Sequence, residues 1–249
     1  MIGSGFVGMV LLASVGVVIG QMIMPFNVGL LLFIAPALLL ALIAQMMVKS
    51  AYASANRVHA RLSGYAAARF LLDRAGLQSV DIEQTPGHLS DHYDPRSKVL
   101  RLSNEVYHGN TMAAVGIAAH EAGHAIQDAE RYAPLVIRNL AVPAAGFGSN
   151  AGMILLILGV VLNQPPLLLL GIILFSCVVF FQVINLPVEF DASARAKTLL
   201  VDLGVVPAQE MAPVNRVLNA AALTYVAATL QAILTLLYFI LRYAGSSRS

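Results

Sequence analysis

Among the residues of this chain, His120, Glu121 and His124 have the types and spacing most suited to chemistry. On a helix, positions i and i+4 sit one turn apart on a shared face. The two imidazoles of His120-Glu121-Ala122-Gly123-His124 can therefore reach a single metal ion, with zinc the expected cofactor. Glu121 stands beside them, placed to take a proton from an attacking water and hand it to a leaving amine. H-E-x-x-H patterns also arise by chance, and a solvated helix carrying two His and a Glu is the plain alternative. Against it, residues 115–119 and 125–126 are apolar, so the motif falls on a mostly buried helix where unpartnered His and Glu are costly.

A hydrolytic zinc site needs a third protein ligand and an open position. Glu189, in Leu186-Pro187-Val188-Glu189-Phe190-Asp191, is the first candidate, and Asp128, one turn beyond His124, is the second. Asp191 is a candidate acceptor for a ligand-histidine N–H, which would fix that ring's tautomer. Each of these carboxylates could equally be a solvated residue near a helix end. His88 and His92 form another pair in Pro86-Gly87-His88-Leu89-Ser90-Asp91-His92-Tyr93-Asp94-Pro95. They fall in a turn or strand, where i and i+4 do not share a face. Structural hydrogen bonding is their first reading, substrate contact the second and a second metal the third. His59 and His108 read as surface histidines.

The elements that must position these residues are dominated by apolar sequence. Hydrophobic residues make up 58% of the 249 positions and charged residues 11%, against about a quarter charged in soluble domains. Residues 2–48 and 140–188 contain no Asp, Glu, Lys or Arg. A bilayer core takes about 20 helical residues, so each tract predicts two spans, turning at Pro25-Phe26-Asn27 and at Asn163-Gln164-Pro165-Pro166. Residues 220–241 predict a fifth span. No Lys or Arg precedes Lys49, which argues against a signal peptide and for an uncleaved hairpin. The single cysteine, Cys177, excludes a disulfide framework and a cysteine zinc site. The small net charge of +2, without basic runs, gives no sign of nucleic-acid binding.

The expected organisation is an N-terminal hairpin (1–48), a polar domain with the motif helix (49–139), a second hairpin (140–186), a polar segment with the third ligand (187–219), a fifth span (220–241) and a tail (242–249). The fold class is mainly α: a polytopic membrane protein with about five transmembrane helices and a small zincin-like α+β polar domain. In that domain, residues 51–75 predict a helix stopped by Gly76, residues 80–83 a strand, residues 92–102 a hairpin and residues 112–129 the motif helix, capped by Asn110 or Thr111. This topology puts both polar segments on one face of the membrane. All Lys and Arg except Arg242 and Arg248 lie in them, so the positive-inside rule makes that face cytoplasmic. The lipid bilayer is one expected partner.

The chain resembles the YugP-like family of bacterial membrane zinc metallopeptidases. The resemblance is carried by residues 86–95, 118–127, 186–193 and 217–227, quoted in part above and continuing through Ala192-Ser193 and Asn219-Ala220-Ala221-Ala222-Leu223-Thr224-Tyr225. It implies a membrane peptidase with His120 and His124 as zinc ligands, Glu121 as catalytic acid/base, Glu189 as third ligand, and protein or peptide substrates, membrane proteins among them. The related gluzincin peptidases usually carry an Asp four residues after the downstream Glu ligand. Here that position is Ser193. The family implies one hydrophobic anchor before the polar domain, whereas this chain has apolar length for two. Tyr225, Tyr132, Arg138 and Arg195 are oxyanion-stabilising candidates by chemistry alone. The rival reading is a metal-binding membrane scaffold without turnover. A transporter is disfavoured because no ionisable residue lies inside a predicted span.

Overall fold

A computed structural model of the chain describes residues 28–246. The first predicted span and the turn at Pro25-Phe26-Asn27 lie outside the described residues. The predicted second span is helix α1 (Val28–Ala55). It continues past the end of the apolar tract at Val48, and the expected helix over 51–75 is instead divided. Residues 51–55 complete α1, and α2 (Gly64–Arg74) begins at a Ser63 cap whose hydroxyl accepts the Ala66 N–H. Gly76, at φ +76°, ends it as expected. The Arg69 guanidinium then fixes the exit by donating to the carbonyls of Leu77 and Val80.

A small sheet follows, of β1 (Asp81–Thr85), β2 (His92–Asp94) and β3 (Val99–Ser103) in the order β1-β3-β2. β1 runs parallel to β3 and β2 antiparallel, so the predicted hairpin is present and β2 is an edge strand. Buried Asp91 accepts the Ser103 N–H at 2.7 Å and ties the entry of β2 to the end of β3. A short helix α3 (Asn104–His108) leads to α4 (Met112–Ala129), the motif helix. Of its two predicted caps Thr111 serves, accepting the Ala114 N–H at 3.2 Å.

Beyond α4 the chain is almost wholly helical. α5 (Ala133–Phe147) passes through a π-helical turn (Gly148–Gly152) into α6 (Met153–Val161). After the predicted turn at 163–166 comes α7 (Pro165–Asp202), and after a 3-10 turn comes α8 (Ala212–Ser246). Among the described residues four helical stretches are long and apolar enough to cross a membrane: α1, α5 with α6, α7 and α8. Leu32, Leu140, Phe147, Ile154 and Ile173 stand more than half exposed along them, a surface suited to lipid rather than water. Gly159 and Gly171 let α6 and α7 approach closely, since a Cβ there would lie 2.5 Å from the Leu168 nitrogen and 2.7 Å from the Leu156 nitrogen.

α7 is one 38-residue helix that runs unbroken through Pro187. The end of the expected second hairpin (140–186) and the start of the expected polar segment (187–219) are thus joined in one rod of about 57 Å, far longer than the roughly 30 Å hydrocarbon layer. Its last turns and the first turns of α8 share a hydrophobic core with the polar domain, through Leu71, Leu100, Val115, Leu200 and Val214. A separate core of Leu30, Ile34, Leu156, Leu168, Phe175 and Phe239 joins α1, α6, α7 and α8.

The contact of α4 with α7 is closest at Gly123, where a Cβ would lie 2.7 Å from the Ala192 carbonyl oxygen. Gly116, by contrast, faces only the Val214 side chain, at 3.1 Å. Replacing a helical Gly by Ala gains about 1 kcal/mol of propensity, whereas overpacking against backbone costs about 1–3 kcal/mol. Gly123→Ala should therefore lower the thermal unfolding midpoint in detergent and the content of bound metal, while Gly116→Ala should leave both near wild type.

Candidate metal centre

α4 presents His120 and His124 one turn apart, with ring centroids 4.7 Å apart and planes nearly perpendicular. Both turn Nε2 toward one oxygen of Glu189 on α7. Oε2 lies 3.3 Å from His120 Nε2 and 3.6 Å from His124 Nε2. The three ligand atoms all fall within 4.8 Å of one another.

Hydrogen bonding fixes what these atoms offer. The Gln127 amide donates from Nε2 to the Val188 carbonyl and to Asp191 Oδ2, both at 2.8 Å. Two acceptors on that side orient the amide, so its oxygen faces His124 Nδ1 at 3.0 Å and accepts from it. His124 Nε2 therefore carries a lone pair. His120 Nδ1 lies 3.1 Å from the Ser193 hydroxyl, which accepts in the same way when Nδ1 is protonated. Glu189 Oε2 is buried and has no hydrogen-bond partner among the described residues. Three lone pairs thus converge in a buried space, an arrangement that repels itself unless a cation lies between them. Zinc bonds to His and carboxylate of about 2.0–2.2 Å put tetrahedral ligand atoms about 3.4 Å apart, matching the two observed separations. The donor set fits zinc and leaves one coordination position for a further ligand.

Glu121 is buried beside this cluster. Its Oε2 accepts the backbone N–H of Tyr93 at 3.0 Å. Burial, reinforced by the negative charges of Asp91 and Glu189 and opposed by His120, pushes its pKa up to about 7. Glu121 does not reach either histidine as a ligand, because neighbouring positions on a helix point about 100° apart.

The other residues singled out in the sequence divide clearly. Asp191 touches neither histidine; it accepts from Gln127 and, at 2.5 Å, from Arg195, and so acts on His124 only through Gln127. Asp128 accepts the Tyr93 hydroxyl at 2.9 Å and stands outside the ligand cluster. Exposed His88 pairs with Glu105 at 2.7 Å and meets the Tyr52 ring edge-on, tying the loop before β2 to α1. His92 is buried in β2; its Nδ1–H donates to the Ser90 carbonyl, and its Nε2 is buried without a partner. His108 bonds Gln84, and His59 forms an isolated bridge with Thr111. Among the oxyanion candidates, Arg195 is taken by Asp191 and Glu130 and lies over the Tyr132 ring. The Tyr225 side chain faces Glu189. Among the described residues Arg138 bonds only the adjacent Asn139, and its charge faces Glu189, Tyr225 and Glu121.

Gln127 and the Tyr93 N–H were not singled out in the sequence. Gln127 carried a usable signal, a polar residue three places after His124 on an otherwise apolar helix face. The Tyr93 N–H carried none, because its role depends on the strand packing against α4.

The family model described as "Putative neutral zinc metallopeptidase" matches residues 30–244. The chain belongs to this family. A curated relative in Bacillus subtilis (strain 168), described as "Putative membrane protease YugP", is 46% identical over 207 residues, covering 82% of this chain and 92% of that protein. No solved structure matches. The family's zinc agrees with the donor set formed by His120, His124 and Glu189.

Because Gln127 fixes the tautomer of His124 and also holds α4 to α7, Gln127→Leu should weaken zinc binding by about 10–100-fold. Competition with a zinc-chelating indicator measures this, and the folded state is checked by circular dichroism.

Proposed function

We propose that this chain is a multi-pass membrane endopeptidase that uses zinc held by His120, His124 and Glu189 to hydrolyse peptide bonds of protein substrates at the cytoplasmic membrane surface. The observation that carries the reading is the pairing of a three-lone-pair metal cluster with Glu121, a buried carboxylate held beside it by the Tyr93 N–H. A site serving only to bind metal has little use for such a group, which argues against the scaffold reading.

A zinc ion bound here supplies Lewis acidity toward water and a peptide carbonyl. Glu121 takes the proton of the attacking water and returns it to the leaving amine. Burial raises its pKa, which favours proton uptake, and the positive charge of a bound zinc would act in the opposite sense and favour release. The Tyr93 N–H holds one Glu121 oxygen, leaving the other to face the reaction. Arg138 is the group assigned to the developing oxyanion, since among the candidates its guanidinium retains unused donors while its charge faces the site. Tyr225 is assigned to orient Glu189.

The placement of β2 supports binding of an extended substrate. Among the described residues it pairs with β3 alone, and the Tyr93 N–H on the other edge points at Glu121. A peptide adding along that edge would run past the site, with His92 Nε2 a buried acceptor beside it and His88 at the rim of the loop. The α5–α6 and α7 hairpin returns the chain to the face it left, so α4 and the end of α7 share one side. The positive charges concentrated there argue for the cytoplasm.

Glu121→Gln should retain zinc and lose cleavage of a casein-type substrate by several orders of magnitude, and unchanged cleavage by purified protein would sink the mechanism. Arg138→Gln should lower kcat by about 100–1,000-fold with little change in KM. A larger change in KM than in kcat would move Arg138 from the oxyanion to ground-state substrate binding.

A further inference from the structure

Four polar residues follow one another along a single face of α7, at positions 182, 185, 189 and 193, spaced for one helical stripe. Ser193 and Glu189 belong to the metal centre. Asn185 and Gln182 continue the stripe away from it, about 6 and 10 Å down the helix. Both are buried, at 2% and 6% exposure. Neither side chain has a hydrogen-bond partner among the described residues, and the Asn185 Oδ1 is wholly enclosed. Ser176, lower on the same helix, differs, since its hydroxyl is satisfied by the Ile172 carbonyl.

The stripe is walled by α8. The Thr229 hydroxyl bonds the Gln182 backbone carbonyl at 3.2 Å, and Tyr225, one turn along α8, faces Glu189. Pro187 lies on the opposite side of α7 from the stripe and deprives the Val183 carbonyl of its helical donor. Glu189 lies about 36 Å along α7 from Pro165, just beyond the roughly 30 Å hydrocarbon layer, whereas Gln182 at about 26 Å lies inside it. Uncharged amides without partners therefore lead from the metal centre into the depth of the bilayer.

We propose that this seam between α7 and α8 binds the peptide backbone of a membrane-spanning substrate segment that has unwound next to the metal centre. The inference rests on the peptidase reading above. A transmembrane helix must open to lay an extended peptide across the site, and each opened peptide group loses its internal partner where no water replaces it. Carboxamides donate and accept as peptide groups do, so Asn185 and Gln182 supply the missing partners without charge. A cation path would instead call for carboxylates along the stripe, and below Glu189 there are none.

The test uses full-length zinc-loaded protein in lipid nanodiscs. The probe is a fluorescent peptide of about 20 leucine and alanine residues followed by a Gly-Ser-rich flank, alongside the flank alone as a soluble peptide. In the Glu121→Gln background, Asn185→Leu and Gln182→Met should each weaken binding of the spanning peptide roughly tenfold, the expected effect of losing one buried hydrogen bond. Binding of the flank should shift far less, and Ser176→Ala should match the parent on both probes. In the active protein, the ratio of kcat/KM for a spanning substrate to that for a soluble one should fall by a similar factor. No binding of the spanning peptide, or equal losses on both probes, overturns the proposal. So does unchanged binding in variants that unfold at or above the parent temperature, which would assign the amides to internal water or helix packing. Absence of Glu121-dependent cleavage with the binding differences intact would overturn the peptidase reading and leave the seam standing.

Discussion

The close packing of α4 on α7 is the constraint from which the site follows. Two histidines on one helix can offer two lone pairs, but the third must come from an element 65 residues further along the chain. Gly123 removes the side chain that would keep the helices apart, and the Ala192 carbonyl occupies the space. Gln127 then spans the junction, touching His124 on its own helix and the Val188 carbonyl and Asp191 on the other. The same contact that sets the distance between the helices also sets the protonation state of a ligand. Metal binding and helix packing are consequently parts of one equilibrium, because separating the helices dissolves the donor set.

Around this junction the charges are arranged in layers. Glu189 and Glu121 lie innermost, the first between the histidines and the second against the Tyr93 N–H. Next come neutral groups, Gln127 and the Ser193 hydroxyl, each bonded to a histidine Nδ1. Asp191, Arg195 and Glu130 form an ion-pair chain further out. Neutral intermediaries keep negative charge off the Nδ1 side of each ring while still orienting it. The Ser193 position shows the same choice, a hydroxyl where related peptidases place a carboxylate. In a site already holding two buried carboxylates, a third would add repulsion.

Much of this was legible in the sequence because it depends on local periodicity. The i, i+4 spacing of His120 and His124, the capping residue at Thr111, the Gly76 stop and the 163–166 turn are all properties of a few neighbouring residues. The order β1-β3-β2 was not legible, since pairing partners are chosen by the core and not by the strands alone. The continuity of α7 through Pro187 was not legible either, because a missing N–H ordinarily disfavours a helix interior and only the packing of α7 against its neighbours shows that the chain stays helical there. The role expected of Asp191 fell to Ser193 and Gln127, because which polar atom reaches an imidazole depends on the rotation of one helix against another.

The continuity of α7 sets a strict condition on its length. Residues near its start are packed among α1, α6 and α8, while Glu189 and Ser193 face α4. Both ends are read from one screw. Adding or removing a single residue between them would rotate everything beyond by about 100° and turn Glu189 away from the histidines, with the apolar anchor undisturbed. In this stretch substitutions are graded in effect, but changes in length act on the phase of the whole helix.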